Sequence, residues 1–179
     1  MVYEFGPKKT SLSLKILLSI ISFFSLLSAI LISSFDYAGI QNLFFLTQKF
    51  FQGFYWQPVT YLFFHPSYGL NFSFLFHLAF NLYLIWFFGS SLIERFGSLP
   101  FWFLYFFSGL SGCIAQIGLM SLNMLPSLTP GTTISLYGLL IAWALINPRA
   151  ELRLLFTIPF KASLLIYFFL QPTFDLYLG

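Results

Sequence analysis

Two groups of polar residues stand where polar residues are costly. His77 and Asn81 lie four apart inside an otherwise apolar run, so a helix would carry both on one face. Together an imidazole and a carboxamide can hydrogen-bond a developing anion, or they can simply tie one helix to another. The second group is Pro130-Gly131-Thr132-Thr133-Ile134-Ser135, with three hydroxyls at the start of another apolar run. A buried helix N-terminus offers unpaired N–H groups and a partial positive charge. Such a place can stabilise the oxyanion of acyl transfer. The plainer reading is that Thr132 or Thr133 caps the helix. A hydroxyl becomes a useful nucleophile only with a base in hydrogen-bond reach. The two histidines of the sequence are His65 and His77.

The composition says what must hold these residues. The chain of 179 residues is 59% hydrophobic and only 7% charged, against about 25% charged in an ordinary soluble domain. That much apolar surface cannot all be hidden inside a globule of this size, so lipid is the expected solvent. In lipid every backbone N–H and C=O must be paired internally, which leaves helices or a closed barrel. A barrel shows alternating polarity over about ten residues at a time; here the apolar runs are long and continuous. The expected fold class is all-α: one polytopic membrane helix bundle with about five crossings.

The crossings are expected over residues 16–35, 71–93, 99–121, 132–147 and 155–174, after an N-terminal cytoplasmic segment 1–15. Residues 36–70, rich in aromatics and broken by Gly53, Pro58, Pro66 and Gly69, read as a membrane-associated loop. The first apolar run is longer than the core of a signal peptide, usually about 7–15 residues, and reads as a retained helix. The run 132–147 gives only about 24 Å of helix, short of a hydrocarbon core of about 30 Å. Its N-terminus is therefore expected below the outer surface. Irregular backbone is tolerated at that depth only beside protein or a wet cavity.

Charge sets the expected orientation. With the N-terminus inside, Lys8, Lys9, Lys15, Arg95, Arg149, Arg153 and Lys161 all fall on the cytoplasmic side, and Lys49 alone falls outside. The expected location is a bacterial inner membrane. The basic residues form no patch with interleaved aromatics, so the net charge of +3 does not point to nucleic acid. The single cysteine, Cys113, reads as a small buried hydrophobe. Small residues four apart, Ser108 with Gly112 and Gly138 with Ala142, suit close helix packing.

In this order the segments resemble the rhomboid family of intramembrane serine proteases, over about residues 55–170. Trp56-Gln57-Pro58-Val59-Thr60, followed by His65, is similar to that family's first loop and the start of its second helix. His77 through Asn81 matches its HxxxN pair. Gly89 with Glu94-Arg95-Phe96-Gly97 resembles the end of the same helix, and Gly131 through Leu140 aligns to its GxSGxxxGLL pattern. Pro159-Phe160-Lys161 resembles the short basic entry to its fifth helix. The resemblance implies that His77 and Asn81 sit on the oxyanion side and that Thr133 occupies the nucleophile's position.

The departures bear on activity. Thr133 stands for the serine and Ile134 for the following glycine, where its side chain is expected to crowd substrate approach. Ser135, about 200° around the helix from Thr133 at 3.6 residues per turn, is a poor substitute. The family's base is a histidine on a sixth helix, and the sequence ends where that helix is expected to begin. Without that helix, the Gly138/Ala142 face is expected to lose a neighbour. Gln57 replaces the usual arginine after the loop tryptophan.

With nucleophile and base both changed, no meaningful proteolysis is expected. The leading expectation is a rhomboid-like, catalytically impaired membrane protein that engages transmembrane segments of other proteins in the lipid bilayer. No cofactor, metal or nucleic acid is expected, and a homo-oligomer is compatible with the sequence. One alternative is an active protease using an unconventional threonine with a base from elsewhere. Another is a transporter or channel subunit with His77 and Asn81 lining a polar path.

Overall fold

The computed structural model describes residues 10–35, 37–65, 69–124, 131–147, 151–154 and 158–161. Helix α1 runs Leu12–Ser34, α2 Tyr37–Phe44, α3 Gln57–Thr60, α4 Phe72–Phe96, α5 Ser98–Ser121 and α6 Gly131–Ile146. A 3-10 turn, Gln48–Gln52, separates α2 from α3, and a small antiparallel hairpin follows α6, with β1 Glu151–Leu154 and β2 Ile158–Lys161. Helices α1, α4 and α5 are each long and apolar enough to cross a membrane, and α6 is a shorter apolar helix. At about 1.5 Å per residue, α6 measures about 24 Å.

Local chemistry starts and stops these helices. Ser11 caps α1 by accepting from the Leu14 N–H at 3.2 Å, and Asn71 caps α4 by accepting from the Phe74 N–H at 2.8 Å. Between α4 and α5 stands one residue, Gly97, at φ +86°. A residue with a Cβ is strained there, so glycine makes the turn.

The bundle's core gathers Leu14, Leu17 and Ile21 of α1, Ile85 and Phe88 of α4, Phe101 and Tyr105 of α5, and Leu139 and Trp143 of α6. Helix α4 is central and touches α1, α5 and α6. Large side chains such as Phe23, Phe76, Phe103, Phe107 and Ile114 point outward. On a bundle of this composition they are the surface that lipid tails cover.

The tightest seam joins α5 and α6, which run antiparallel. Gly138 stands against Ser108, Gly109 against Ser135 and Leu62, and Gly112 against Ile134. A Cβ on Gly112 would come within 2.5 Å of an Ile134 methyl. Absence of side chains on one helix thus admits the other at close range.

Three expectations are corrected here. The Gly138 face has not lost its neighbour, since α5 covers it at Ser108. The Ile134 side chain turns onto the notch at Gly112, so it fills a gap between helices rather than crowding an approach path. A helix starting at 155 is not formed: Ile158–Lys161 is extended and paired with Glu151–Leu154. Pro159 accounts for this, because it biases Ile158 to the extended region and lacks an N–H for a helical bond. The remainder of the expected crossing at 155–174 lies outside the described residues, as does the segment 1–9.

Gly138→Leu should lower the thermal midpoint of the detergent-solubilised chain, at a cost of about 1–3 kcal/mol from overpacking. Gly118→Ala, on the partner helix α5 and with open space at its Cβ position, should leave the midpoint unchanged or raise it. Equal behaviour of the two variants would contradict the seam.

Candidate functional site

The site is built around a strap, residues 61–65, that runs between α3 and α4 and is fastened from three sides. The Tyr105 hydroxyl of α5 donates to the Leu62 carbonyl at 2.8 Å. The Tyr61 hydroxyl donates to the Gly109 carbonyl, also on α5. From α1, Ser25 Oγ accepts from the His65 N–H at 3.2 Å and donates to the Phe63 carbonyl at 3.4 Å. From α6, Thr132 Oγ1 donates to the Phe64 carbonyl at 3.1 Å. Phenol and hydroxyl groups thereby pair carbonyls that strand or helix would otherwise pair.

The same Thr132 oxygen lies 3.2 Å from His65 Nδ1, and both residues are fully buried. A hydroxyl has one proton, and the Phe64 carbonyl takes it. A hydrogen bond from the ring to Oγ1 then needs the proton on Nδ1, which leaves Nε2 a bare acceptor. That polarity is the reverse of what a general base requires of its nucleophile. Nε2 is buried and has no hydrogen-bond partner among the described residues.

The His65 ring meets the His77 ring of α4 at a centroid separation of 5.4 Å with planes 62° apart. His77 is exposed. One turn further on, Asn81 is buried and its Nδ2 donates to the His77 carbonyl at 2.9 Å. Its side chain also interacts with the His65 imidazole. His77 and Asn81 thus stand one turn apart on α4, with His77 against the His65 ring.

Thr133, expected at the nucleophile position, has a buried Oγ1 with no hydrogen-bond partner among the described residues. Neither imidazole is hydrogen-bonded to it. The capping reading fails as well, since the Thr132 hydroxyl is engaged with the strap. Ser135 is buried against Gly109 of α5, away from the histidines. Sequence reasoning missed the pairing of His65 with Thr132, residues 67 apart. The usable signal was the interruption of the apolar run by Pro66 and Gly69 in the sequence.

Gln57 explains how the preceding loop manages without an arginine. Fully buried, it accepts from the Thr47 N–H at 3.1 Å and donates to the Asn42 carbonyl at 2.7 Å and to Thr47 Oγ1 at 3.1 Å. Trp56 Nε1 adds a bond to the Leu43 carbonyl at 2.8 Å, and Thr60 Oγ1 donates to the Phe44 carbonyl at 2.9 Å. The segment 37–60 is thus a knit unit that positions the strap.

Burial pushes the His65 imidazole down to about 4; nearby His77 acts in the same sense, and Asn81 opposes. An imidazole that is neutral when folded but free to protonate when unfolded binds fewer protons in the native state between those values. Stability contributed by the neutral ring is present above about 6.5 and is lost as pH falls toward 4. Chemical unfolding followed across that window should show stability falling with acidity, and His65→Phe should flatten the slope. Thr132→Val should cost about 1–3 kcal/mol by orphaning the buried Phe64 carbonyl. Thr133→Val should be nearly neutral, because its hydroxyl makes no bond; a larger loss than for Thr132→Val would contradict this geometry.

The family model described as "Rhomboid domain" matches residues 52–178, well over half of the chain. No curated protein and no solved structure matches significantly. The matched span contains the strap, the His77 and Asn81 face and the Thr132–Thr133 helix start. Long apolar helices and this match together make the chain an integral membrane protein, and it belongs to the rhomboid family.

Proposed function

We propose that this chain is a rhomboid-fold protein that engages transmembrane segments of other membrane proteins without hydrolysing them. The observation that carries the reading is the state of the two hydroxyls at the start of α6. Thr133 Oγ1, at the position of the family's nucleophile, has no imidazole partner. The imidazole that does reach a hydroxyl reaches Thr132, whose proton is already given to a carbonyl. A hydroxyl without a proton acceptor is a weak nucleophile, and losses within a catalytic unit commonly amount to several powers of ten.

Binding draws on what remains. The outer end of α4 carries exposed Phe72, Phe76 and His77. A helix arriving from the bilayer could pack its apolar surface on the phenylalanines and present a locally unwound carbonyl to the imidazole. The positive-inside pattern supports an N-terminus in the cytoplasm, with this end of α4 on the opposite side. A bacterial inner membrane is the setting we propose.

The purified chain, incubated in detergent micelles with a transmembrane substrate, should release no cleavage product. Cysteine crosslinking from Phe76→Cys to a transmembrane peptide should exceed that from Phe103→Cys on α5. Product that disappears on Thr133→Ala would overturn the non-hydrolytic reading. Product that survives Thr133→Ala but disappears on Thr132→Val would overturn it in favour of a Thr132–His65 pair. Equal crosslinking from the two positions would remove the proposed binding surface.

A further inference from the structure

We infer that His65, His77 and Asn81 form a binding site for a divalent transition-metal ion, of the zinc and copper class, between the strap and α4. The site does not rest on whether the chain cleaves other membrane proteins, and it shares the exposed His77 with the binding surface proposed above.

An ion bonded to one nitrogen of each imidazole at about 2.0–2.1 Å, with a tetrahedral angle between the bonds, sets the ring centroids about 5.2 Å apart. Here they stand 5.4 Å apart, with planes crossed at 62°. Crossed planes are also the ordinary edge-to-face arrangement of two rings, so the separation, and not the tilt, is what suits a shared ion.

Availability of the nitrogens is the second observation. His65 Nε2 is buried and has no hydrogen-bond partner among the described residues. Its other nitrogen, Nδ1, is held by Thr132 Oγ1 at 3.2 Å. A metal-binding histidine almost always has its second nitrogen held by an oxygen, which fixes the tautomer and aims the ring. Thr132 supplies that oxygen, and its own proton on the Phe64 carbonyl fixes the direction of the bond. The tautomer that is wrong for a general base is right for a ligand.

Asn81 supplies a third donor. Its Nδ2 donates to the His77 carbonyl at 2.9 Å, and its Oδ1 is the atom of the amide able to bind an ion. A carboxamide oxygen is a weaker ligand than imidazole, and no group of three or more His, Cys, Asp or Glu gathers among the described residues. Affinity therefore rests on the two imidazoles, and solvent at exposed His77 completes the shell. Divalent ions that favour imidazole, zinc and copper(II) foremost, are selected over magnesium and calcium, which favour oxygen.

The test uses the full chain in detergent, with any affinity tag removed. Titration with Zn2+ alone, followed by calorimetry, should saturate at one ion per chain. His77→Ala, a change at an exposed side chain, should leave the helical circular dichroism intact and weaken binding at least tenfold. Thr132→Val should weaken it by about 10–100-fold through loss of the oxygen that aims His65. Zn2+ should raise the thermal midpoint of the parent chain and not that of His77→Ala. With Cu2+ as probe, electron paramagnetic resonance should show coupling to imidazole nitrogen from two rings. Absence of saturable Zn2+ binding, binding that survives His77→Ala undiminished, or a Cu2+ spectrum with one imidazole would each overturn the site.

Discussion

The close approach of α5 and α6 is the contact on which the rest of the arrangement depends. Membrane helices gain little from mere apolarity, because lipid tails are as apolar as leucine; they associate where backbones can come near each other. Here the small residues Ser108, Gly109 and Gly112 meet Ser135, Ile134 and Gly138. That seam fixes the height and rotation of α6 relative to α5. Its rotation decides that Thr132 faces the strap and Ser135 faces α5. Were α6 turned by one residue, about 100°, a different hydroxyl would meet His65.

The strap is the second consequence of a lipid solvent. Residues 61–65 are irregular, yet Tyr61, Leu62, Phe64 and His65 are buried. Such backbone is tolerated only if neighbouring groups pair it. Ser25, Tyr105 and Thr132 do so from three different helices. The hydroxyl at the start of α6 thus has a structural task that competes with catalysis. A proton committed to a main-chain carbonyl is not available to a base.

Much of the architecture was legible in the residues, for particular reasons. Helices α1, α4 and α5 stand over the long apolar runs, and α6 over the short one, because uninterrupted apolarity and the breaks at glycine and proline are local properties. The rhomboid likeness was legible because its motifs occur in order. What could not be read was which hydroxyl meets which ring. Thr132 and Thr133 are adjacent and chemically identical, and only the rotation imposed by Gly109 and Gly112 separates them. His65 carried no periodic signal, since it lies in irregular chain and reaches its partner across 67 residues. The hairpin was obscured because Ile158-Pro159-Phe160 is as apolar as a membrane helix; the proline was the overlooked clue.

The single-residue junction at Gly97 has an implication for how the molecule can move. Two Cα steps of about 3.8 Å join Phe96 to Ser98, so the two helix ends stay within about 7 Å of each other. Helices α4 and α5 are thereby shackled at one end and cannot slide freely past each other. They can only splay or swing about that pivot, like the legs of a compass. Any opening that admits another protein to the His77 face must accordingly be largest at the end of α4 farthest from Gly97, which is the end that carries His77.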